Sequence, residues 1–209
     1  ITQLTPHSGS AFIVMQHMSR AQANLLTSLL VKRTSIPVTD AKPNQIVEPN
    51  HIYVCPPGYQ AEVQDARIIL TELTPHDSKE QPFDRFLTSL AADQQERAVA
   101  VILAGAGSDG KKGAVAVRHA GGLVLVQDPV TAEFHSIPEL VADVAAPDLV
   151  LSPGRLALLV DALARETEQP VSLEEGSSDY LRIINLLHKV SHIDFSRYKQ
   201  VQISGYRDL

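Results

Sequence analysis

The stretch from Ala98 to Asp128 constrains the fold more than any other part of the chain. Ala98 to Leu103 is a short, continuous apolar run rich in β-branched residues, which predicts a strand buried on both faces. A glycine-rich turn follows, Gly105-Ala106-Gly107-Ser108-Asp109-Gly110. Ala114, Val117 and Arg118 then open a helical spacing that ends at Gly121-Gly122, a helix-stop signal. Leu123 to Val126 reads as a second buried strand. Strand, turn, helix and parallel strand make a βαβ unit with an expected right-handed crossover. In open α/β sheets, ligands and chemistry gather at the carboxyl ends of the strands, so the loop around Asp109 is the first place to look for function.

That loop supports two incompatible readings. Gly105, Gly107 and Gly110 fit the spacing G-x-G-x-x-G of a dinucleotide fingerprint, with Asp128 after the next strand as a ribose ligand. Asp109, however, puts a negative charge where a pyrophosphate would sit, at a helix N-terminus that favours anions. A carboxylate there is better explained as a cap for its own helix or as a member of a catalytic set. A plain turn is the third possibility, and the loop does not decide among them alone.

The chain's 209 residues, 44% apolar, suffice for one sizeable α/β core with a tail left over. Its first residues read as the end of an element already under way, so a longer protein is expected. A single cysteine, Cys55, excludes an internal disulfide framework and suits a cytoplasmic location. No apolar run reaches transmembrane length, so no direct membrane insertion is expected. The net charge of −6 and the absence of a long basic run argue against nucleic acid as a partner.

Toward the N-terminus, Ala11 to Met15 predicts a buried strand with Gln16 and His17 at its carboxyl end. Ser19 is placed to cap a helix reaching about Lys32, with Leu25, Leu26, Leu29 and Leu30 on one face. His51 to Cys55 is extended, and Gln60 to Val63 and Arg67 to Leu70 predict a hairpin. Pro82 fits the first turn of a helix carrying Phe83, Phe86, Leu87 and Leu90, a face read as core. Later come a short helix at Glu139 to Val144, a strand at Leu149 to Leu151 and an amphipathic helix from Pro153 to Ala164.

Four segments occur in register: Val14 to Met18, Val47 to Pro57, Ala104 to Gly110 and Gln127 to Phe134. Together they resemble the catalytic domain of the chemotaxis protein-glutamate methylesterases over nearly all of residues 1–165. The resemblance implies an α/β serine hydrolase that removes methyl groups from glutamyl esters of a methylated chemoreceptor, without metal or cofactor. It implies His17 as general base and Asp109 as the carboxylate that orients it. It also implies backbone donors at Ala106 and Gly107 for an oxyanion, and Gln16, Gln127 and Glu133 along the ester pocket. Ala106 stands where the family often has Met or Thr, a change that a backbone donor survives. The chemistry agrees, since a serine hydroxyl needs a histidine to take its proton and that histidine needs a carboxylate to fix its tautomer.

The departure is the nucleophile. The family carries it in a Gly-x-Gly-Ala-Ser-x-Gly-Gly stretch upstream of the histidine strand, and that stretch is not in these 209 residues. Ser8 and Ser10 read as turn residues, and Ser108 only loosely echoes a nucleophile elbow. Beyond the main domain, residues 166–178 are polar and acidic and read as a linker. Tyr180 to Val190 predicts a helix with Leu181, Ile184, Leu187 and Val190 on one side. His188 and His192, four apart, read as polar-face histidines rather than a zinc pair. Ile193 to Lys199 resembles the opening of a chemoreceptor methyltransferase N-terminal helical domain, as in hybrid sensor proteins that fuse both activities. The expected fold is a doubly wound α/β domain with a mostly parallel sheet and an antiparallel hairpin, then a linker and a C-terminal helical segment at 179–209.

Overall fold

A computed structural model of the chain describes residues 1–17, 25–73 and 81–165. The expected cap at Ser19, the linker, the C-terminal helical segment and the His188/His192 pair all lie outside the described residues. Three short strands build the first sheet: β1 (Phe12–Val14), β2 (Val38–Asp40) and, past a two-residue β3 (Gln45–Ile46), β4 (Ile52–Val54). Their order is β1-β4-β2, all parallel, with Phe12 and Val38 both opposite Ile52. The hairpin β5 (Tyr59–Gln64) and β6 (Arg67–Glu72) gains β3 as a third antiparallel strand. β7 (Val99–Ile102), β8 (Leu123–Gln127) and β9 (Leu149–Leu151) form a second parallel sheet in that order.

Helices cover both faces, as the crossover rule for parallel strands requires. α1 (Leu25–Val31) packs on the first sheet and α5 (Pro153–Arg165) on the sheet of β7, β8 and β9. Leu26 and Leu30 of α1 pack with Ile52 and Val54, while Leu156 and Leu159 of α5 pack with Leu125, Leu149 and Leu151. Val160 touches both groups and joins them. On the other face lie α2 (Pro82–Gln94), α3 (Lys111–His119) and α4 (Ser136–Ala145). Phe86, Leu87, Val117 and Val141 meet Val124 and Val126 there. β8 therefore alternates, Leu123 and Leu125 toward α5, Val124 and Val126 toward α2 to α4, and is buried throughout.

β7 departs from the expected strand buried on both faces. Ala98 and Ala100 enter the core, but Val99 and Val101 are each 37% exposed and Leu103 is 53% exposed. The reason is positional. Successive side chains of a strand point to opposite faces: Ala98 and Ala100 join the core under α2 to α4, while Val99 and Val101 point to the other face, where the cluster around α5 takes in no residue of β7. An apolar run reports that a strand can be buried, not that its neighbours are present.

Candidate active site

The site lies at the carboxyl ends of β1 and β7. His17 comes three residues after the end of β1, and Asp109 closes the glycine-rich loop after β7. The structure brings the two together: His17 Nε2 lies 3.2 Å from Asp109 Oδ2. The imidazole is half exposed, its side chain at 50%, whereas the carboxylate is almost covered at 10%. A proton on Nε2 directed at Asp109 leaves the Nδ1 lone pair free, which is the state needed of a base.

Asp109 is anchored from an unexpected side. A cap for its own helix is one of the roles its position suggests, but the N-cap of α3 is Gly110, in the left-handed region (φ 98°), and no side-chain cap bond forms there. The carboxylate instead accepts from the first turn of α2, from Phe83 N–H at 3.0 Å on Oδ2 and Asp84 N–H at 2.9 Å on Oδ1. These are donors that a helix cannot satisfy internally, and the residue before α2, Gln81, gives no side-chain cap. Asp84 returns the contact: its Oδ1 accepts from Gly113 N–H in the first turn of α3 at 2.8 Å. Each helix start is thus held by an aspartate from the other. Gly113 permits that approach, because a Cβ there would lie 2.5 Å from Leu87 Cβ and 2.9 Å from the Asp84 carbonyl oxygen.

The electrostatics follow from this cradle. Burial pushes the Asp109 carboxyl up, but the hydrogen bond from His17, the N–H groups of Phe83 and Asp84 and the charge of His17 outweigh it. The net result is a carboxyl held below its ordinary value, hence ionised at neutral pH and able to orient an imidazole. Cys55, at the end of β4, is the opposite case. Burial pushes its thiol up to about 12, so it stays protonated and is not a nucleophile at neutral pH.

Residues 1–160 match the family described as CheB methylesterase. The chain belongs to the CheB methylesterase family. It is 29% identical over 149 residues to a protein-glutamate methylesterase/protein-glutamine glutaminase of Trichodesmium erythraeum, covering 69% of this chain and 42% of that protein. It is 36% identical over 115 residues to an uncharacterised 104.1 kDa protein of Rhodobacter capsulatus, covering 54% of this chain and 12% of that one. The chain therefore spans less than half the length of either relative. The fold is that of the crystal structure of the Thermotoga maritima CheB methylesterase catalytic domain, with a TM-score of 0.66 at 24% identity, covering 79% of this chain and 89% of that one.

The other residues anticipated for a CheB-type site fall into place unevenly. Ala106 and Gly107 are exposed on the loop beside Asp109. Gln16 and Glu133 are also exposed. Gln127 is buried, and its amide is fully engaged: Oε1 accepts from Ala104 N–H at 2.9 Å, and Nε2 donates to the Thr131 carbonyl at 3.1 Å. It ties the loop after β7 to the loop after β8 rather than offering a polar group to a ligand. Asp128, the ribose ligand of the dinucleotide reading, accepts from Val130 N–H at 3.0 Å and caps its own 3₁₀ turn. Ser108 is exposed next to Asp109. Ser8 and Ser10 precede β1 at the amino edge, away from His17, where Ser10 Oγ donates to the Ala164 carbonyl at 3.3 Å. Among the described residues no cluster of three or more His, Cys, Asp or Glu could hold a metal, and no helix is long and apolar enough to cross a membrane.

Two residues of the site were missed in the sequence. Phe83, read as core, lies with its ring centroid 4.2 Å from that of His17. Asp84 lies within the same helical stretch and carries no sequence motif of its own. Pro82 signals where α2 begins, but nothing local signals that this beginning faces a loop 25 residues downstream.

Proposed function

We propose that this domain hydrolyses glutamyl methyl esters on a methylated chemoreceptor or similar signalling protein in the cytoplasm, with His17 as general base and Asp109 as its orienting carboxylate. The observation that supports this reading most is the 3.2 Å contact between His17 Nε2 and an Asp109 carboxylate held by two helix N–H groups. In the proposed reaction a serine hydroxyl attacks the ester carbonyl while His17 takes its proton. The backbone N–H groups at Ala106 and Gly107 are the proposed donors to the tetrahedral oxyanion. Collapse expels methanol, which takes the proton back from His17, and water then releases the glutamate by the same base. The serine is proposed to come from a Gly-x-Gly-Ala-Ser-x-Gly-Gly segment outside these 209 residues, carried on a strand beside β1 and β7. β1 and β7 each have an edge without a strand partner among the described residues, which leaves room for it there.

The experiment is methanol release from methylated receptor, by the 209-residue chain and by the same chain extended at its N-terminus with such a strand and serine turn. The extended chain is expected to turn over and the shorter one to stay at background. Turnover by the shorter chain would move the nucleophile inside it, with Ser108 the first residue to replace. The tail is proposed to be a linker at 166–178 followed by the start of a methyltransferase-like helical domain at 179–209. Limited proteolysis with its first cut inside 166–178 would support that division, and first cuts inside 1–165 would overturn it.

The 104.1 kDa relative, of which the shared stretch is 12%, carries a similar stretch within a much longer protein, which leaves room for a second reading. In it the domain is a catalytically silent docking or regulatory module within a large hybrid sensor. An inactive extended chain that still binds receptor would select this reading.

A further inference from the structure

We propose that Phe83 is a positioning residue for the His17 imidazole, holding it in the single orientation that the proposed base requires. The inference rests on the catalytic reading of His17. Phe83 touches both members of the pair by different parts. Its main-chain N–H donates to Asp109 Oδ2 at 3.0 Å, the same oxygen that lies 3.2 Å from His17 Nε2. Its ring meets the imidazole at 4.2 Å between centroids with the planes tilted by 46°.

A second contact is needed for a physical reason. A single hydrogen bond from a half-exposed imidazole competes with water, and each time it opens the ring is free to turn away and to exchange its proton between the two nitrogens. His17 has a side chain that is 50% exposed, so solvent does not restrain it. The tilted ring of Phe83, 4.2 Å away between centroids, stands in the way of that turn and opposes the opening. The placement of Phe83 follows from helix geometry: Cα–Cβ bonds tilt toward the helix N-terminus, so a side chain in the first turn projects past the helix end. Here that direction leads to the Asp109 loop. Phe83 contributes little elsewhere, since α2 enters the core through Phe86, Leu87 and Ala91 while Phe83 itself stays partly exposed.

The test is tautomer measurement by ¹⁵N–¹H correlation of the histidine rings in the 209-residue chain, at a pH where imidazoles are neutral. The wild-type chain is expected to show His17 as one tautomer, protonated on Nε2. In Phe83→Ala, signals of both tautomers are expected to average, while the backbone amides at positions 83 and 84 keep their exchange protection. Phe83→Leu retains apolar volume but lacks the ring that reaches the imidazole, and is expected to fold and to average likewise. Phe83→Tyr is expected to restore the single tautomer. The proposal is overturned if Phe83→Ala or Phe83→Leu keeps a fixed Nε2–H tautomer. It is equally overturned if the tautomer is lost only together with amide protection, because the ring would then serve the helix and not the imidazole. A chain whose tautomer depends on Phe83 but whose extended form releases no methanol would reject the catalytic reading and leave the positioning contact standing.

Discussion

Replacing Asp109 with alanine removes the acceptor for two helix donors and for His17 at once, so it tests the cradle directly. Both oxygens are engaged, and the residue is only 8% exposed. Loss of a helix cap costs about 1 kcal/mol, and loss of an anion at a helix start about 0.5–1 kcal/mol. The Asp84 N–H lies in a buried hydrogen bond, and an orphaned buried donor costs about 1–3 kcal/mol. These effects overlap, and a combined destabilisation of about 2–3 kcal/mol is expected. For a domain of this size that corresponds to a fall in Tm of roughly 5–10 °C. Urea unfolding followed by circular dichroism should show a lower midpoint at unchanged m, with faster hydrogen exchange at the amides of Phe83 and Asp84. Asp109→Asn, which keeps one acceptor oxygen, should lose roughly half as much. An Asp109→Ala chain within about 0.5 kcal/mol of wild type, the range of a neutral surface change, would refute the cap.

The depressed Asp109 carboxyl also gives a pH dependence. A group whose folded pKa lies below its unfolded value of about 3.9 stabilises fully above that value and loses the contribution as pH falls through the folded pKa. Stability should therefore decline more shallowly below about pH 4 in Asp109→Asn than in wild type, which urea midpoints across pH 2–5 would measure (a range set by that ~3.9 reference). Gly113→Ala places a Cβ 2.5 Å from Leu87 Cβ and 2.9 Å from a main-chain oxygen, neither of which is a flexible tip. Overpacking of that kind costs about 1–3 kcal/mol, and a midpoint unchanged from wild type would mean that α2 and α3 are not in that contact.

Much of the framework was legible because it is local. The βαβ unit from Ala98 to Gln127 announces itself by an apolar run, a glycine turn and a helical spacing, all within 30 residues. The hairpin at β5 and β6 is equally local, and its turn residues Asp65 and Ala66 both adopt positive φ. β3 was invisible because two residues carry no periodicity; Gln45 and Ile46 are a strand only through pairing with Arg67 and Ile68. The exposed side of β7 is not legible because a run such as Val99 to Leu103 carries no information about which of its two faces a helix covers. His17 and Asp109 stood out as polar residues following buried strands. The partners of Asp109 did not, since a carboxylate before α3 that caps α2 is a tertiary contact spanning 25 residues. Phe83 fitted a core stripe equally well, and only the packing of α2 turns it toward His17.

The proposed role of His17, held by Asp109, is that of the base in an ester hydrolase. The most direct measurement is kcat/KM for methanol release from methylated receptor by the chain extended with a Gly-x-Gly-Ala-Ser-x-Gly-Gly segment, with His17 intact and with His17→Ala. Removing the histidine of an assembled Ser-His-Asp set costs on the order of 10⁴–10⁶ in rate, and a loss of that size is expected with the fold unchanged by circular dichroism. A loss of less than about tenfold in a folded His17→Ala chain, below even the usual 10²–10⁴ share of a general base, would contradict the assignment.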